Sequence, residues 1–137
     1  MSLIVMKWIL ILGLSALLTV ETNLSYTGMW IWEDGNRSLF SLTLEQHDTV
    51  ITGSHCSVML GGNRIDAAFP GDTTISGVVK KDSSLMVTVK SGYSAATGTA
   101  KIKFVGKDSI YFEFITTPND EYWIPDKVTL VKQTTSN

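Results

Sequence analysis

Four times in this chain a hydroxyl-bearing residue is followed by glycine: Thr27-Gly28, Thr52-Gly53, Ser76-Gly77 and Thr97-Gly98. Successive glycines lie 25, 24 and 21 residues apart. Such a period suits two strands and two turns, so the chain reads as a β-hairpin repeated about four times. Glycine inside a strand marks a sharp bend or a close approach of backbones. Gly53, Gly77 and Gly98 therefore fit the corners of a small barrel.

Residue parity carries the same message. Ser38–Gln46 sets Phe40, Leu42 and Leu44 against Ser41, Thr43 and Glu45. Ser84–Ser91 sets Leu85, Val87 and Val89 against Met86, Thr88 and Lys90, and Ser109–Thr117 sets Ile110, Phe112 and Phe114 against Tyr111, Glu113 and Ile115. Alternation of this kind makes half-buried strands. Thr49–Met59 is ambiguous, with Val50, Cys56 and Val58 on one parity and Ile51, Gly53 and His55 on the other. After Val20 no segment keeps a helical period over three turns. The count is eight strands, or nine with Asn63–Ala67. Short local connections favour up-and-down order, and closure removes the two unpaired edges of an open sheet. The expectation is all-β: a single antiparallel up-and-down meander barrel of about eight strands, with a β-sandwich as the alternative.

Residues 1–22 follow another rule. Lys7 is followed by thirteen uncharged residues, Trp8 to Val20. A run of that length would span about 20 Å as a helix, short of a ~30 Å hydrocarbon core. A short positive start before an apolar centre describes a secretory signal peptide, cleaved between Val20 and Tyr26. The expected division is a signal peptide over 1–22 and a β-barrel domain over 23–137, with a secreted or periplasmic mature protein. The alternative is an uncleaved anchor, the only membrane contact expected.

Removing 1–22 takes away Lys7 and Glu21 and leaves 10 basic and 12 acidic residues. That balance argues against a nucleic-acid partner, which needs a basic stripe. The lone Cys56 has no internal disulfide partner, and its mid-strand position predicts partial burial.

Gly28-Met29-Trp30 near the mature start resembles the opening of calycin barrels. In lipocalins such a Gly-x-Trp begins the first strand, and the resemblance implies that Trp30 plugs one barrel end. Thr27-Gly28-Met29-Trp30, Gly35 and Ile51-Thr52-Gly53-Ser54 are also similar to the first three strands of avidins. The later avidin tryptophans for biotin have no counterpart, since Trp123 sits in Glu121-Tyr122-Trp123-Ile124-Pro125, so biotin is not implied. The whole resembles small secreted bacterial barrels of unassigned function. Ser91-Gly92-Tyr93 is similar, at a shorter spacing, to the Ser-Gly-x-x-Tyr loop of some bacterial lysozyme inhibitors built on small barrels.

No Gly-x-Ser-x-Gly, His-Glu-x-x-His or Cys-x-x-Cys is present. His55 and Cys56 are neighbours, and adjacent strand residues point to opposite faces. His47 could reach Cys56 only across a hairpin. Glu45 and His47 share a face, but two ligands are too few for a structural zinc. Arg64 and Asp66 also share a face and would pair with each other. The expectation is a non-enzyme with no catalytic residues, no metal and no cofactor.

The aromatic residues are more informative. Trp32, Tyr93, Tyr122 and Trp123 fall at strand ends or in loops, where barrel mouths lie. Their rings combine an apolar body with a polar tip, which suits ligand pockets and protein hot spots. The structural alternative is that they plug the barrel ends. The leading expectation is a secreted non-enzymatic binding protein that takes a small apolar or aromatic ligand at this mouth. The alternative is a protein-binding module, such as an inhibitor of an extracellular enzyme, acting through Ser91–Ala96. The state of the interior discriminates: if Phe40, Leu42, Leu44, Val87, Val89, Phe112 and Phe114 fill it, no ligand fits inside.

Overall fold

The computed structural model describes residues 24–35 and 37–134. The signal peptide assigned to 1–22 lies outside the described residues. The strands are β1 (Gly28–Asp34), β2 (Ser38–His47), β3 (Val50–Met59), β4 (Arg64–Ala67), β5 (Ile75–Val79), β6 (Leu85–Lys90), β7 (Thr97–Gly106), β8 (Ser109–Thr116) and β9 (Lys127–Lys132). Pairing is antiparallel throughout. β1 pairs with both β2 and β9, and the β2–β3 ladder joins the two ends of the sheet order. The sheet is therefore a closed up-and-down barrel and not a sandwich.

β4 and β5 are two halves of one wall position. Both pair with the same edge of β3: Arg64–Ala67 lie opposite Met59–Cys56, and Ile75–Val78 lie opposite Gly53–Val50. The chain leaves the wall between them over residues 69–73, since Ala68 N still donates to the His55 carbonyl and Thr74 N to the Gly53 carbonyl. Nine strands thus fill eight positions around the barrel. Across the gap the His55 N–H donates to the Thr74 side-chain Oγ1 at 3.1 Å.

The interior is packed. Phe40, Leu42, Val89 and Phe112 are fully buried, and Leu44, Val87 and Phe114 are no more than 8% exposed. The rings interlock edge to face, Phe40 to Phe112 at 5.3 Å and Phe112 to Phe114 at 5.2 Å. Each such side chain contributes ~1.5–3 kcal/mol by leaving water. On β3 the inward parity belongs to Ile51, His55 and Ser57, while Cys56 is half-buried.

Three of the hydroxyl–glycine pairs have a common cause. A Cβ at Gly53, Gly77 or Gly98 would overlap the carbonyl oxygen of Thr43, Met86 or Thr116 on the adjoining strand. Backbones approach there as no side chain would allow. Thr52, Ser76, Thr88, Thr99 and Thr116 are successive cross-strand partners, so their hydroxyls make one outward row over five strands.

Because strands alternate in direction, one end of the barrel carries the β1–β2 and β3–β4 turns and the loops 91–96 and 117–126. We call it the upper end. The lower end carries the chain's entry at Leu24 and the turns at 48–49, 80–84 and 107–108. The lower end is plugged by rings. Tyr26 stacks on Phe104 at 4.4 Å, Trp30 meets Phe104 at 6.0 Å, and Trp30 Nε1 donates to the Tyr26 carbonyl at 2.9 Å. The C-terminal segment is tied down at its start, since Gln133 N donates to the Met29 carbonyl.

Candidate functional site

No backbone ladder joins β4 to β6 among the described residues, which leaves a seam in the wall beside the 91–96 loop. Asp66 fills it. Its inward parity on β4 aims a fully buried carboxylate at the seam. Oδ1 accepts from His55 Nε2 at 2.8 Å and from the Gly92 N–H at 2.7 Å. Oδ2 accepts from Ser91 Oγ at 2.6 Å and from the Trp123 N–H at 3.1 Å. All four acceptor positions of an ionised carboxylate are thereby used. Burial opposes ionisation, but the hydrogen bonds from His55, Ser91, Trp123 and Gly92 outweigh it and hold the Asp66 carboxyl below its ordinary range.

The rest of the network follows from this hub. With its proton on Nε2, the His55 ring accepts at Nδ1 from Thr74 Oγ1 at 2.7 Å. Ser91 Oγ accepts from the N–H groups of Tyr93 and Ser94 at 3.1 and 3.3 Å, which folds the 91–96 loop into a tight turn. The loop closes on itself through Ser91 N to the Ala96 carbonyl at 2.8 Å. Gly92 is required where it stands, because a Cβ would overlap the Ala67 carbonyl. Asp66 does not pair with Arg64 as their shared parity suggested. The carboxylate is drawn to the backbone donors of the seam, and Arg64 lies at the rim.

Trp123 is held from both sides. Its N–H goes to Asp66, and its carbonyl accepts from the buried Ser57 Oγ at 2.6 Å. So fixed, its indole meets the Tyr93 ring edge to face at 5.9 Å and 71°. The Arg64 guanidinium covers the indole at 4.8 Å from the ring centre. The indole Nε1 is buried and has no hydrogen-bond partner among the described residues. Around this group lies a cleft of about 370 Å³, lined by Asn63, Arg64, Ile65, Tyr93, Glu121 and Trp123. Tyr93 is 56% exposed, a large outward area for an aromatic ring.

All four residues singled out for a mouth sit at the upper end, but only two of them meet in one platform. Tyr93 and Trp123 pack together. Tyr122 turns its ring to Phe114 at 5.5 Å and donates its hydroxyl to Asp126 Oδ1 at 2.6 Å. Burial first, then that hydrogen bond and the Asp126 charge, push the Tyr122 phenol up to about 12. Trp32 stands opposite Phe40 in the β1–β2 ladder and packs against the core. Arg64 is the residue the sequence reading left out of the platform. Its signal was its position two residues before an inward acid.

The buried polar set is a clamp rather than a relay. Asp66 stands between Ser91 and His55, and Ser91 is only 1% exposed. A nucleophile–base pair needs serine against histidine. His47 lies opposite Val50 and Cys56 opposite Ser41, so those two do not meet across the hairpin. His47 Nε2 instead lies 3.0 Å from Glu45 Oε1 on an exposed face.

A second cavity, of about 780 Å³, opens at the lower end among Tyr26, Val79, Asp82, Lys101, Lys103 and Phe104.

Fold and site together define a closed antiparallel β-barrel of eight wall positions, with a filled interior and an anchored Arg–Trp–Tyr platform at one end. No family model, no curated protein and no solved structure matches the chain.

Proposed function

We propose that this chain is an exported, non-enzymatic, calycin-like barrel that binds a protein through the Arg64–Tyr93–Trp123 platform. The observation that carries the reading is the Asp66 clamp. One buried carboxylate ties β4, the 91–96 loop and the 117–126 loop together, and so pre-arranges the three side-chain types most enriched in interface hot spots. Pre-arrangement lowers the ordering cost of association. The filled interior supports a surface partner over a ligand inside the barrel. Tyr93, and not the buried Ser91, is what the 91–96 loop offers to a partner. An inhibitor of an extracellular enzyme is one form such a partner relation takes.

A second reading keeps a small aromatic ligand at the mouth. Its support is the cleft beside Trp123, whose ~370 Å³ falls within the usual range for ligand pockets.

Site-specific cross-linking tests the first reading. A photo-reactive phenylalanine replaces Tyr93 at the upper end or Val105 at the lower end, two residues of similar exposure, 56% and 53%. In the exported fraction of the producing cells, protein-sized adducts form from position 93 alone. Adducts from neither site, or equally from both, overturn the reading.

A further inference from the structure

The outer wall of the barrel is uneven in polarity. On β6, β7 and β8 the outward parity carries Lys90, Lys101, Lys103 and Glu113. Around β2 the outward residues differ. Cross-strand pairing sets three rows there. The middle row runs Val131, Ile31, Ser41, Cys56 and Ala67. The row above holds Glu33, Leu39 and Val58, and the row below holds Met29, Thr43 and Ser54. Glu33, at one corner, is the single charged residue of the three rows. Met29 and Val131 are 43% and 55% exposed, and Ile31, Leu39, Cys56 and Val58 are half-buried. Ser41 has outward parity and yet is only 5% exposed, so it floors a dent between larger neighbours. A continuous apolar surface with a polar margin marks an interaction site.

We infer that this wall is the interface between two copies of the chain, related by a two-fold axis that runs along β2. The inference is independent of the platform at the upper end. A two-fold contact requires one surface to complement itself. Rotation about β2 lays β1 of one copy over β3 of the other and keeps each row at its own height. Large side chains of β1 then fall on small ones of β3. Met29 faces the partner's Ser54, and Ile31 faces the partner's Cys56. Leu39, Ser41 and Thr43 lie on the axis and face their own copies, and none of them is charged. A different partner would not require β1 to match β3 of the same sheet. Glu33 falls at the upper margin, where its carboxylate stays in water. Glu45 lies below the matched rows, against its own His47. Strands ~4.8 Å apart and rows ~6.8 Å apart give a patch about 20 Å by 14 Å from Val131 to Ala67, before side chains are added. A curved patch of that size stays below the ~800 Å² per partner of a standard interface, so the dimer is reversible.

Sedimentation velocity on the purified protein from about 2 µM to about 500 µM tests the interface, since a micromolar dissociation constant is crossed inside that range. The native chain passes from monomer to dimer and goes no further, because a two-fold contact closes on itself. Ile31→Lys keeps the chain monomeric throughout, and so, independently, does Met29→Lys on its more exposed neighbour. Val78→Lys, the same charge change at an outward position of β5 that is 42% exposed, leaves the dissociation constant within twofold. Cys56→Ile alone sets two isoleucines against each other and weakens the dimer at least tenfold. Adding Ile31→Cys exchanges the large and small partners and restores it to within threefold. Thermal unfolding of each variant confirms that the barrel remains. A native chain still monomeric at the highest concentration overturns the inference, as does assembly beyond a dimer. So does a dimer that survives both lysine variants on β1 or that Val78→Lys disrupts equally. A double exchange no better than Cys56→Ile alone removes the axis along β2.

Discussion

The backbone N–H of Trp123 donates to Asp66 Oδ2 across 3.1 Å, although the two residues are 57 positions apart in the chain. A single buried carboxylate thus fixes the loop that presents an indole to solvent. Stability at the seam and geometry at the platform depend on the same four hydrogen bonds, and that coupling shapes what substitutions will do.

Asp66→Asn turns one acceptor oxygen into a donor facing N–H groups or the Ser91 hydroxyl. Losing hydrogen bonds to a buried charged acceptor, with donors left unsatisfied, costs about 1.5–3 kcal/mol per bond. Urea unfolding should show a loss of that order, together with faster amide exchange at Gly92 and Trp123. A loss under about 1 kcal/mol would mean that the clamp does not hold the loops.

The same carboxylate contributes to the fold's stability in acid. Its folded pKa lies below the 3.8 of the free group. The unfolded chain therefore binds the proton first as pH falls. The contribution is complete above about pH 4 and is lost as pH drops through the folded value. Unfolding free energy measured from pH 6 to pH 2 should decline below pH 4 in the native chain. Asp66→Asn should flatten that decline, and an unchanged slope would refute the assignment.

Tyr26 contributes in the opposite sense on the alkaline side. Burial, aided by the Asp82 charge, pushes its phenol from 10.0 up to about 12, and its hydroxyl donates to the Ser83 carbonyl at 2.7 Å. Here the folded state holds the proton longer. The contribution is present below pH 10 and lost as pH rises toward 12. Tyr26→Phe should lose less stability between pH 9 and pH 11.5 than the native chain does. Equal slopes would remove Tyr26 from this role.

Phe112 touches both Phe40 and Phe114 in the middle of the core. Phe112→Ala leaves a cavity among rings that cannot collapse and should cost ~3–5 kcal/mol. A change under about 1 kcal/mol in denaturant unfolding would place this parity outside the core.

Tyr93→Ala and Trp123→Ala both retain the backbone bonds that anchor their loops. Tyr93→Ala should move stability by no more than about 1 kcal/mol, since its ring is more than half exposed. Partner capture at the upper end should nonetheless be lost in both. Unfolding of both variants would make these rings structural plugs.

Residue alternation alone determined much of this protein. Phe40, Leu42 and Leu44 face Phe112 and Phe114 because side chains two apart share a face. Closure was legible too, because eight short strands with local connections leave two edges that only a barrel removes. The split of one wall position into β4 and β5 was not legible. It depends on which residues of β3 each half meets, and register is a relation between strands. The clamp was hidden for the same reason. Asp66 resembles a surface acid until closure brings Ser91, Gly92 and Trp123 to it from 25, 26 and 57 positions away. Local sequence fixes which way a side chain points. Only the closed barrel decides what it meets, because a buried carboxylate is tolerated only where distant donors converge on it.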